Sequence, residues 1–269
     1  MSDYIVTFDG SFEGFLCVVH AYYYDGIVPV EITAGDEYQQ ALDAEEYYVS
    51  TDYHIASQVR SGIQKRISHQ ASDYLALAFC AEDGSRFMDM FRYTVFGFKI
   101  GSSVDNHLQR DFVLNVHKLA RYVGREAHLL TGFSRFSETT SGVFYCEISP
   151  VNDVLLMLAE HFCDRMMNQA WVIHDTKRNI AALYNGEYYE IANVPKRERI
   201  DFVDKESHIQ DLWRTFFKAV VNKDRVNRKL QRNLLPLHFR KNMTEFTAMQ
   251  DEPFLPLLSP NMSEALPPQ

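Results

Sequence analysis

Residues 171–191, WVIHDTKRNIAALYNGEYYEI, decide the fold that we predict for this chain. Short runs rich in β-branched and aromatic residues predict three strands, at Trp171–His174, Asn179–Tyr184 and Tyr188–Ile191. The dipeptide NG at residues 185–186 separates the last two runs, and this pair is a strong signal for a two-residue hairpin. These features together predict strands that are paired antiparallel.

The sequence before this stretch extends the same sheet. His128–Phe136 and Val143–Ile148 are predicted strands separated by the turn-rich residues SETTSG, and Pro150 precedes a predicted helix at Asn152–Met166. The resulting order is β-β-α-β-β-β. That order is typical of an α+β fold with an antiparallel sheet and a helix on one face.

The N-terminal part has a different character. YIVTF (residues 4–8) and IVPVEIT (27–33) predict two short strands that pair, and Ser11 is the expected N-cap of the helix between them. The acidic residues 35–48 are expected to be solvated. Isoleucine or valine recurs every four residues within Asp52–Ser68, which predicts a helix, and further helices are expected up to residue 126.

The chain therefore divides into three predicted parts. Residues 1–126 form a mainly helical region with a small strand pair, and residues 127–246 form an α+β region that ends in basic helices. One of these helices is expected at His208–Val221 and another at Arg225–Leu234, before Pro236. Residues 247–269 form a proline-rich tail.

Composition indicates the class of protein and its location in the cell. The 269 residues are 46% hydrophobic and include 15 Tyr and 19 Phe, which is enough to build a core and argues against disorder. No apolar run approaches the ~20 residues that span a bilayer, and the first ten residues lack the features of a signal peptide. The four cysteines are widely spaced and form no CxxC motif. We therefore expect a cytoplasmic protein with reduced thiols and with neither a metal site nor another cofactor.

Charge is distributed unevenly along the chain. The net charge is −9, which argues against a general polyanion binder, yet the segment from Trp213 to Met243 carries +8 and the remainder carries −17. On a helix the basic side chains of this segment form one broad positive face, and such a face suits phosphate binding. The candidates for phosphate contact are Arg214, Lys218, Lys223, Arg225, Arg228 and Arg232. The alternative is a solvated helix, or a face that docks on acidic protein.

Histidines and acids of the central region are candidates for chemistry. His174 is a candidate acid or base that Asp175 orients, with Arg165 and Arg178 as clamps for an anion. His161 is a further candidate catalytic residue, four residues before Arg165 on one helix face. In the alternative interpretation, Asp175 caps a turn and Arg165 pairs with a neighbouring carboxylate.

Arg135 and Trp171 are candidates for a nucleic-acid platform. In a strand, Arg135 and Phe133 share one face, where an arginine beside an aromatic ring could stack a base and hold a phosphate. The alternative is that the Arg135 stem lies on Phe133 and that Trp171 belongs to the core.

Several of these motifs carry a resemblance to one family. Four stretches carry it, and in chain order they are DGSFEGFLCVVHAYY, GFSRF, HFCDRMMNQAWVIHDTKRNIAALYNG and LWRTFFKAVVNKDRVNRKLQRNLLPLHFRKNMTEF. The chain resembles, over residues 4–246, the bacterial family of unknown function called DUF4130. Members of that family are named DNA metabolism or repair proteins.

The resemblance implies a function but no catalytic residues. It implies a nucleic-acid-binding protein of DNA repair or metabolism that acts with a radical-SAM protein, because family genes lie beside a gene for one. Some relatives carry a uracil-DNA-glycosylase-like extension, and since none follows Phe246 here, that activity is not expected. The residues leave two alternatives open. One is an enzyme that acts on a nucleotide or base with His174 and Asp175, and the other is a non-catalytic protein-interaction module.

Overall fold

A computed structural model describes residues 3–35, 45–194, 200–220 and 227–247. The chain forms two compact units, Met1–His128 with Val151–Val154, and Leu129–Pro150 with Leu155–Gln269. Both units mix helices and strands, so the predicted α+β class is confirmed. The predicted tail lies outside the described residues except for its first position.

The first unit contains a three-stranded parallel sheet. Its strands are β1 (Asp3–Phe8), β2 (Val28–Ala34) and β3 (Glu45–Val49), in the order β2-β1-β3. Helix α1 (Phe12–Tyr24) connects β1 to β2, and the Ser11 hydroxyl caps it by accepting the Gly14 N–H at 2.9 Å. The predicted pairing of the first two strands is confirmed. It is parallel because a helical crossover returns the chain in the same direction.

Strand β3 was not expected from the sequence. Glu45 and Glu46 are exposed and only Val49 at its end is buried, so the strand lacks the apolar alternation that predicts a buried sheet. It pairs with β1 along one edge of the sheet, where charged side chains are tolerated. The expectation of solvated acidic side chains holds for Glu45 and Glu46, while residues 36–44 lie outside the described residues.

Four helices pack around this sheet to form the core of the first unit. Ile63 and Ile67 of the predicted isoleucine stripe are buried, and Ile55 and Val59 pack against the same core. The spacing of these residues therefore correctly predicted a helix with one side packed against the core. The helices are α2 (Tyr53–Arg66), α3 (His69–Phe79), α4 (Arg86–Ile100) and α5 (Asp111–Phe133), with a 3₁₀ turn at Gly101–Asn106.

The predicted strand at His128–Phe136 is wrong. Helix α5 continues to Phe133, and Val123, Ala127 and Leu130 are buried along one side of it. The helix thus runs about two turns past its predicted end at residue 126, and packing outweighs the local propensity of the threonine and glycine near its end.

The second unit contains a five-stranded sheet of mixed direction. The strand order is β4-β5-β6-β7-β8, and only the β5–β6 pair is parallel. The predicted all-antiparallel sheet is therefore wrong at one pair. Helix α6 connects β5 to β6, and a crossover helix brings the chain back parallel. The elements are β4 (Ser137–Glu138), β5 (Phe144–Ile148), α6 (Leu155–Arg165), β6 (Trp171–Asp175), β7 (Ile180–Tyr184) and β8 (Tyr189–Asn193).

The hairpin between β7 and β8 forms where the sequence predicts it. The Asn185 N–H donates to the Tyr188 carbonyl, which places Gly186 and Glu187 at the tip, one residue later than expected. Gly186 has φ of 102°, which a residue with a side chain rarely adopts. The Asn185 side chain accepts two backbone N–H groups of the loop and so fixes it.

Short helices follow the sheet in the second unit. Val203 N donates to the Glu138 carbonyl and Glu138 N donates to the Glu206 carboxylate, so the start of the first of these helices is bound to the β4 edge. No helix within the described ranges has both the length and the apolar character needed to cross a membrane. The helices are α7 (Asp204–Val220), α8 (Arg228–Leu234), α9 (Leu237–Arg240) and α10 (Thr244–Thr247).

A buried carboxylate holds the segment Val151–Val154 in the first unit. Glu126 of α5 accepts the Val151 N–H and the Asn152 N–H at 2.8 Å each, and the Asn152 side-chain amide at 2.6 Å. The Asn152 oxygen in turn accepts the Glu82 N–H. Since Glu126 and Asn152 are both buried, water cannot replace these bonds.

We expect Glu126→Ala to lower the free energy of unfolding by about 3 kcal/mol, because it leaves buried donors without an acceptor. Urea unfolding followed by circular dichroism measures this change. Lys118→Ala on the exposed side of the same helix is the control and should shift stability by less than about 0.5 kcal/mol. Equal effects of the two variants would contradict a structural role for Glu126.

Candidate functional site

One face of the five-stranded sheet carries a line of polar side chains. Residues paired across neighbouring strands point to the same face, and the pairs here are Ser137 with Tyr145 and Glu147 with His174. Tyr145 and Glu147 are two residues apart on β5, so all four side chains share the face. This face is opposite to the one that carries Trp171 and the apolar core.

The polar face opens into a cavity of about 270 Å³. The sheet supplies its floor, and side chains of α7 and of the segment around α9 and α10 supply its walls. The Gln210 amide donates to the Ser137 hydroxyl at 3.3 Å, which links α7 to the floor. The lining residues are Arg135, Ser137, Tyr145, Glu147, Phe202, Gln210, Lys241, Asn242 and Thr244.

A buried ion pair closes one side of the cavity. Arg135 donates from Nη2 to Glu245 Oε1 at 2.7 Å and from Nε to Oε2 at 3.2 Å. Trp213 Nε1 donates to the same Oε2 at 3.1 Å, and the Arg135 guanidinium lies 5.4 Å from the centre of the Trp213 ring. Glu245 is only 1% exposed. The carboxylate therefore binds α10 to α7 and to Arg135.

These contacts set the protonation of Glu245. Burial alone would raise the pKa of its carboxyl, but hydrogen bonds from Arg135 and Trp213 and the charge of Arg135 bring the pKa below the usual value of 4.5. Glu245 is thus ionised at neutral pH. Arg135, predicted to hold a phosphate, has its charge paired with this carboxylate and its Nη1 bonded to the carbonyls of Gly132 and Ser134.

Tyr145 and His174 form a hydrogen-bonded pair beneath the cavity. Tyr145 Oη lies 2.7 Å from His174 Nδ1 and 3.3 Å from Glu147 Oε1. His174 is 3% exposed, and its Nε2 has no partner among the described residues. An orphaned N–H is less favourable than an orphaned acceptor, so we assign the proton to Nδ1. His174 then donates to Tyr145, which donates to Glu147 at the cavity wall.

The predicted pairing of His174 with Asp175 is wrong. Consecutive residues of a strand point to opposite faces, so the two side chains cannot act together. Asp175 accepts the Lys177 and Arg178 N–H groups and a 3.0 Å bond from Arg178 Nη1. The alternative interpretation of Asp175 as a turn cap is confirmed. Arg178, a predicted anion clamp, is bound to that buried carboxylate.

His161, Arg165 and Trp171 belong to the other side of the sheet. Helix α6 packs against β6, β7 and β8, and burial together with Glu160 and Cys163 of this helix raises the pKa of Tyr189, on the face that also carries Trp171. His161 and Arg165 lie on α6, away from the polar face. Trp171 is 1% exposed and its ring stacks on Tyr184. A base cannot reach that ring, so the predicted platform role of Trp171 is wrong.

The structure places only part of the predicted phosphate-binding set. Arg214 bonds to Asp211 at 2.7 Å and to the Thr244 carbonyl, so it joins α7 to α10. Arg232 is exposed on α8. Lys223 and Arg225 lie outside the described residues, as do the side chains of Lys218 and Arg228.

Basic residues of α8 and α9 precede the cavity residue Lys241 in the chain. Burial lowers the pKa of Arg240, and the positive charge of Arg232 lowers it further. Arg240 also lies 5.0 Å from the centre of the Phe246 ring. Lys241 is exposed and lines the cavity itself. We call Arg232, Arg240 and Lys241 the cation cluster.

Sequence reasoning missed most of the cavity. Tyr145 and Glu147 carried a usable signal, since they alternate on a strand that was predicted. Lys241 entered the prediction only through the net charge of residues 213–243, and no pattern in the sequence pointed to Glu245. Among the described residues no three His, Cys, Asp or Glu side chains come together as metal ligands would.

The fold and cavity define a mixed α+β protein with a polar, partly cationic pocket on its second sheet. The family described as a domain of unknown function, DUF4130, matches residues 85–245, more than half of the chain. The chain therefore belongs to the DUF4130 family. No curated protein and no solved structure matches it.

We expect Glu245→Gln to lower the free energy of unfolding by about 2 kcal/mol at pH 7, because Arg135 loses its anion. The folded pKa of Glu245 lies below its unfolded value. The contribution of the ionised carboxylate is therefore complete above about pH 4.5 and is lost as the pH falls through the folded pKa. Urea midpoints of both proteins, measured at pH 7 and at about pH 3, should converge at the lower pH.

Glu187→Gln, an exposed change at the hairpin tip, serves as the matched control. It should leave the midpoint unchanged at both pH values. A difference between wild type and Glu245→Gln that stays constant with pH would show that the ion pair does not stabilise the fold through its charge.

Proposed function

We propose that this protein binds nucleic acid, with DNA as its ligand, through the cation cluster and the polar cavity of the second unit, and that it serves DNA repair or metabolism. The observation that carries the proposal is the juxtaposition of the cluster with the cavity. Lys241 belongs to both, because it lines the cavity and follows Arg240 in the chain. Phosphates held by the cluster would place a nucleotide at the cavity mouth.

Exposed aromatic rings support this proposal. Phe202 lines the cavity and is partly exposed, and Trp213 is 39% exposed beside the Arg135 guanidinium. Aromatic side chains next to basic groups are the usual elements of single-strand recognition, since each base can stack on a ring. Trp213 thus replaces Trp171 as the aromatic candidate.

The basic residues between positions 214 and 232 extend the proposed interface. Lys218, Lys223, Arg225 and Arg228 remain proposed phosphate contacts together with Arg232. Arg214 is proposed only as a weaker contact, since Asp211 neutralises part of its charge. Their contribution is non-specific, because phosphate contacts carry no base information.

A radical-SAM protein is the proposed partner. This part of the proposal rests on the family resemblance, in which the two genes are neighbours. The DUF4130 protein would present the DNA and the partner would supply the radical chemistry.

We expect the affinity for a single-stranded oligonucleotide to fall with salt, with a slope of about −0.7 per phosphate contact in a plot of log affinity against log salt. Arg232→Glu/Lys241→Glu should weaken binding and reduce the slope by about two contacts. Fluorescence anisotropy at several salt concentrations measures both quantities.

Lys118→Glu/Arg121→Glu, an equal change in charge on exposed residues of α5, is the control. It should leave the slope unchanged. No binding at low salt, or equal weakening by the two double variants, would exclude the cation cluster as the contact surface.

An enzyme acting on a nucleotide or base is the second candidate. The hydrogen-bonded series His174–Tyr145–Glu147 favours it, because it ends at a carboxylate on the cavity wall. In this version Glu147 would be the general base, and Tyr145, which His174 positions, would orient the Glu147 carboxylate by donating a hydrogen bond to it. Asp175 and His161 would have no part in it.

We expect wild-type protein, given oligonucleotides or free nucleotides, to change their mass, and Tyr145→Phe to abolish that change. Mass spectrometry of the digested nucleosides detects it. Tyr188→Phe, at an exposed position in the hairpin, should remain active. If no mass changes, or if Tyr145→Phe remains as active as wild type, the catalytic proposal fails.

A protein-interaction module is the remaining candidate. Ile209, Leu212, Phe216 and Val220 are exposed along α7 and follow helical spacing, which is typical of a surface that packs against another protein. Copurification with the radical-SAM partner without any affinity for DNA would favour this candidate over the first.

A further inference from the structure

The first unit contains a cleft that the proposed function does not use. Its volume is about 670 Å³, which lies within the range of small-molecule sites. Three helices form its walls, α1 with residues 19–24, α2 with residues 58–66 and α4 with residues 95–99. It is larger than the cavity of the second unit.

Aromatic rings make up one side of this cleft. The His20 and Tyr24 rings stack with their centres 4.3 Å apart and an angle of 15° between their planes. Tyr24 is 78% exposed, so a flat ligand can approach these rings. The Tyr23 and Phe98 rings meet edge to face at 5.7 Å.

Gly62 lines the cleft from α2. A Cβ atom at this position would lie 3.7 Å from the Phe98 ring, which is ordinary van der Waals contact, so Phe98 packs close to α2 here. The most exposed ring of the cleft is that of Tyr24.

Two cations lie at the rim. Arg66 and Lys99 line the cleft and are exposed, and none of the described lining residues is acidic. The pKa of Tyr23 is raised by burial and by Tyr22, whereas the positive charge of Arg66, which lines the same cleft, acts to lower it. The cleft is therefore positive on a chain whose net charge is −9.

A structural role accounts for only part of this arrangement. Arg66 and Lys99 lie in the last turns of α2 and α4, where cations stabilise the negative end of a helix. That role does not require an aromatic wall. An exposed aromatic ring and two cations that line one cleft match the two parts of an aromatic anion.

We propose that this cleft binds a small ligand in which a planar ring carries an acidic group, of the chemical class of a nucleoside monophosphate. The ring stacks on the exposed face of Tyr24, whose other face is stacked on His20, and the phosphate lies between Arg66 and Lys99. The site belongs to the first unit and is independent of DNA binding by the second.

Calorimetric titration of the full chain with adenosine 5′-monophosphate tests the proposal. We expect saturable binding of one ligand per chain, with adenosine alone binding about tenfold more weakly because it lacks the charge. Tyr24→Ala and, separately, Arg66→Glu/Lys99→Glu should each weaken binding of the monophosphate by about tenfold or more. The double variant should leave the affinity for adenosine unchanged.

Lys65→Glu/Arg92→Glu provides the matched control, because these exposed cations lie on the same two helices and do not line the cleft. It should bind the monophosphate as wild type does. The proposal is overturned if wild type shows no binding at millimolar ligand, if adenosine and its monophosphate bind equally, or if the control pair weakens binding as much as the cleft pair. Unchanged melting temperatures of all variants show that folding is not the cause. Tyr24→Leu, which removes the aromatic ring but keeps an apolar side chain, replaces Tyr24→Ala if the latter unfolds, and Tyr24→Phe, which keeps the ring, should bind as wild type does.

Discussion

The buried carboxylate of Glu245 is the interaction on which the polar cavity of the second unit depends. Removing a carboxylate from water costs several kcal/mol, and such a group is retained only where donors surround it. Arg135 supplies two bonds and Trp213 supplies a third. Because these donors come from different parts of the chain, the charge can be satisfied only when α7, α10 and the segment after α5 meet. The cavity wall is thus fixed by an electrostatic requirement as much as by apolar packing.

The alternation of side chains in β5 and β6 then decides which groups the cavity can use. Tyr145, Glu147 and His174 share the polar face. Asp175 is directed to the other face, where its carboxylate accepts a backbone N–H of the turn that follows. Because His174 and Asp175 lie on opposite faces of the sheet, they cannot form the dyad that the sequence suggested. The strand register does leave a series of hydrogen bonds from the buried His174 through Tyr145 to Glu147, and the histidine need not be exposed to hold Tyr145 in place. Its burial therefore does not by itself argue against chemistry.

The sequence predicted the strands of residues 171–191 well, because local propensity and the turn at residues 185–186 point to the same structure. It failed at His128–Phe136, where the local residues favour a strand and the apolar stripe of α5 favours a helix. The parallel β5–β6 pair could have been inferred from the helix between the two strands. The contact of Arg135 with Glu245 could not, since 110 residues separate them and neither has a local pattern that indicates the other. Long-range ion pairs of this kind are settled by tertiary packing alone.

The structure leaves less free positive charge in residues 213–243 than the sequence alone suggests. The net charge of +8 between residues 213 and 243 overstates the available positive surface, because Arg214 is paired with Asp211 at one end of that segment. Burial lowers the pKa of Arg240, and the positive charge of Arg232 lowers it further. A phosphate near both groups would offset this repulsion. A polyanion would therefore gain most from the short stretch around α8 and α9, and the acidic remainder of the chain would limit the contact to that stretch.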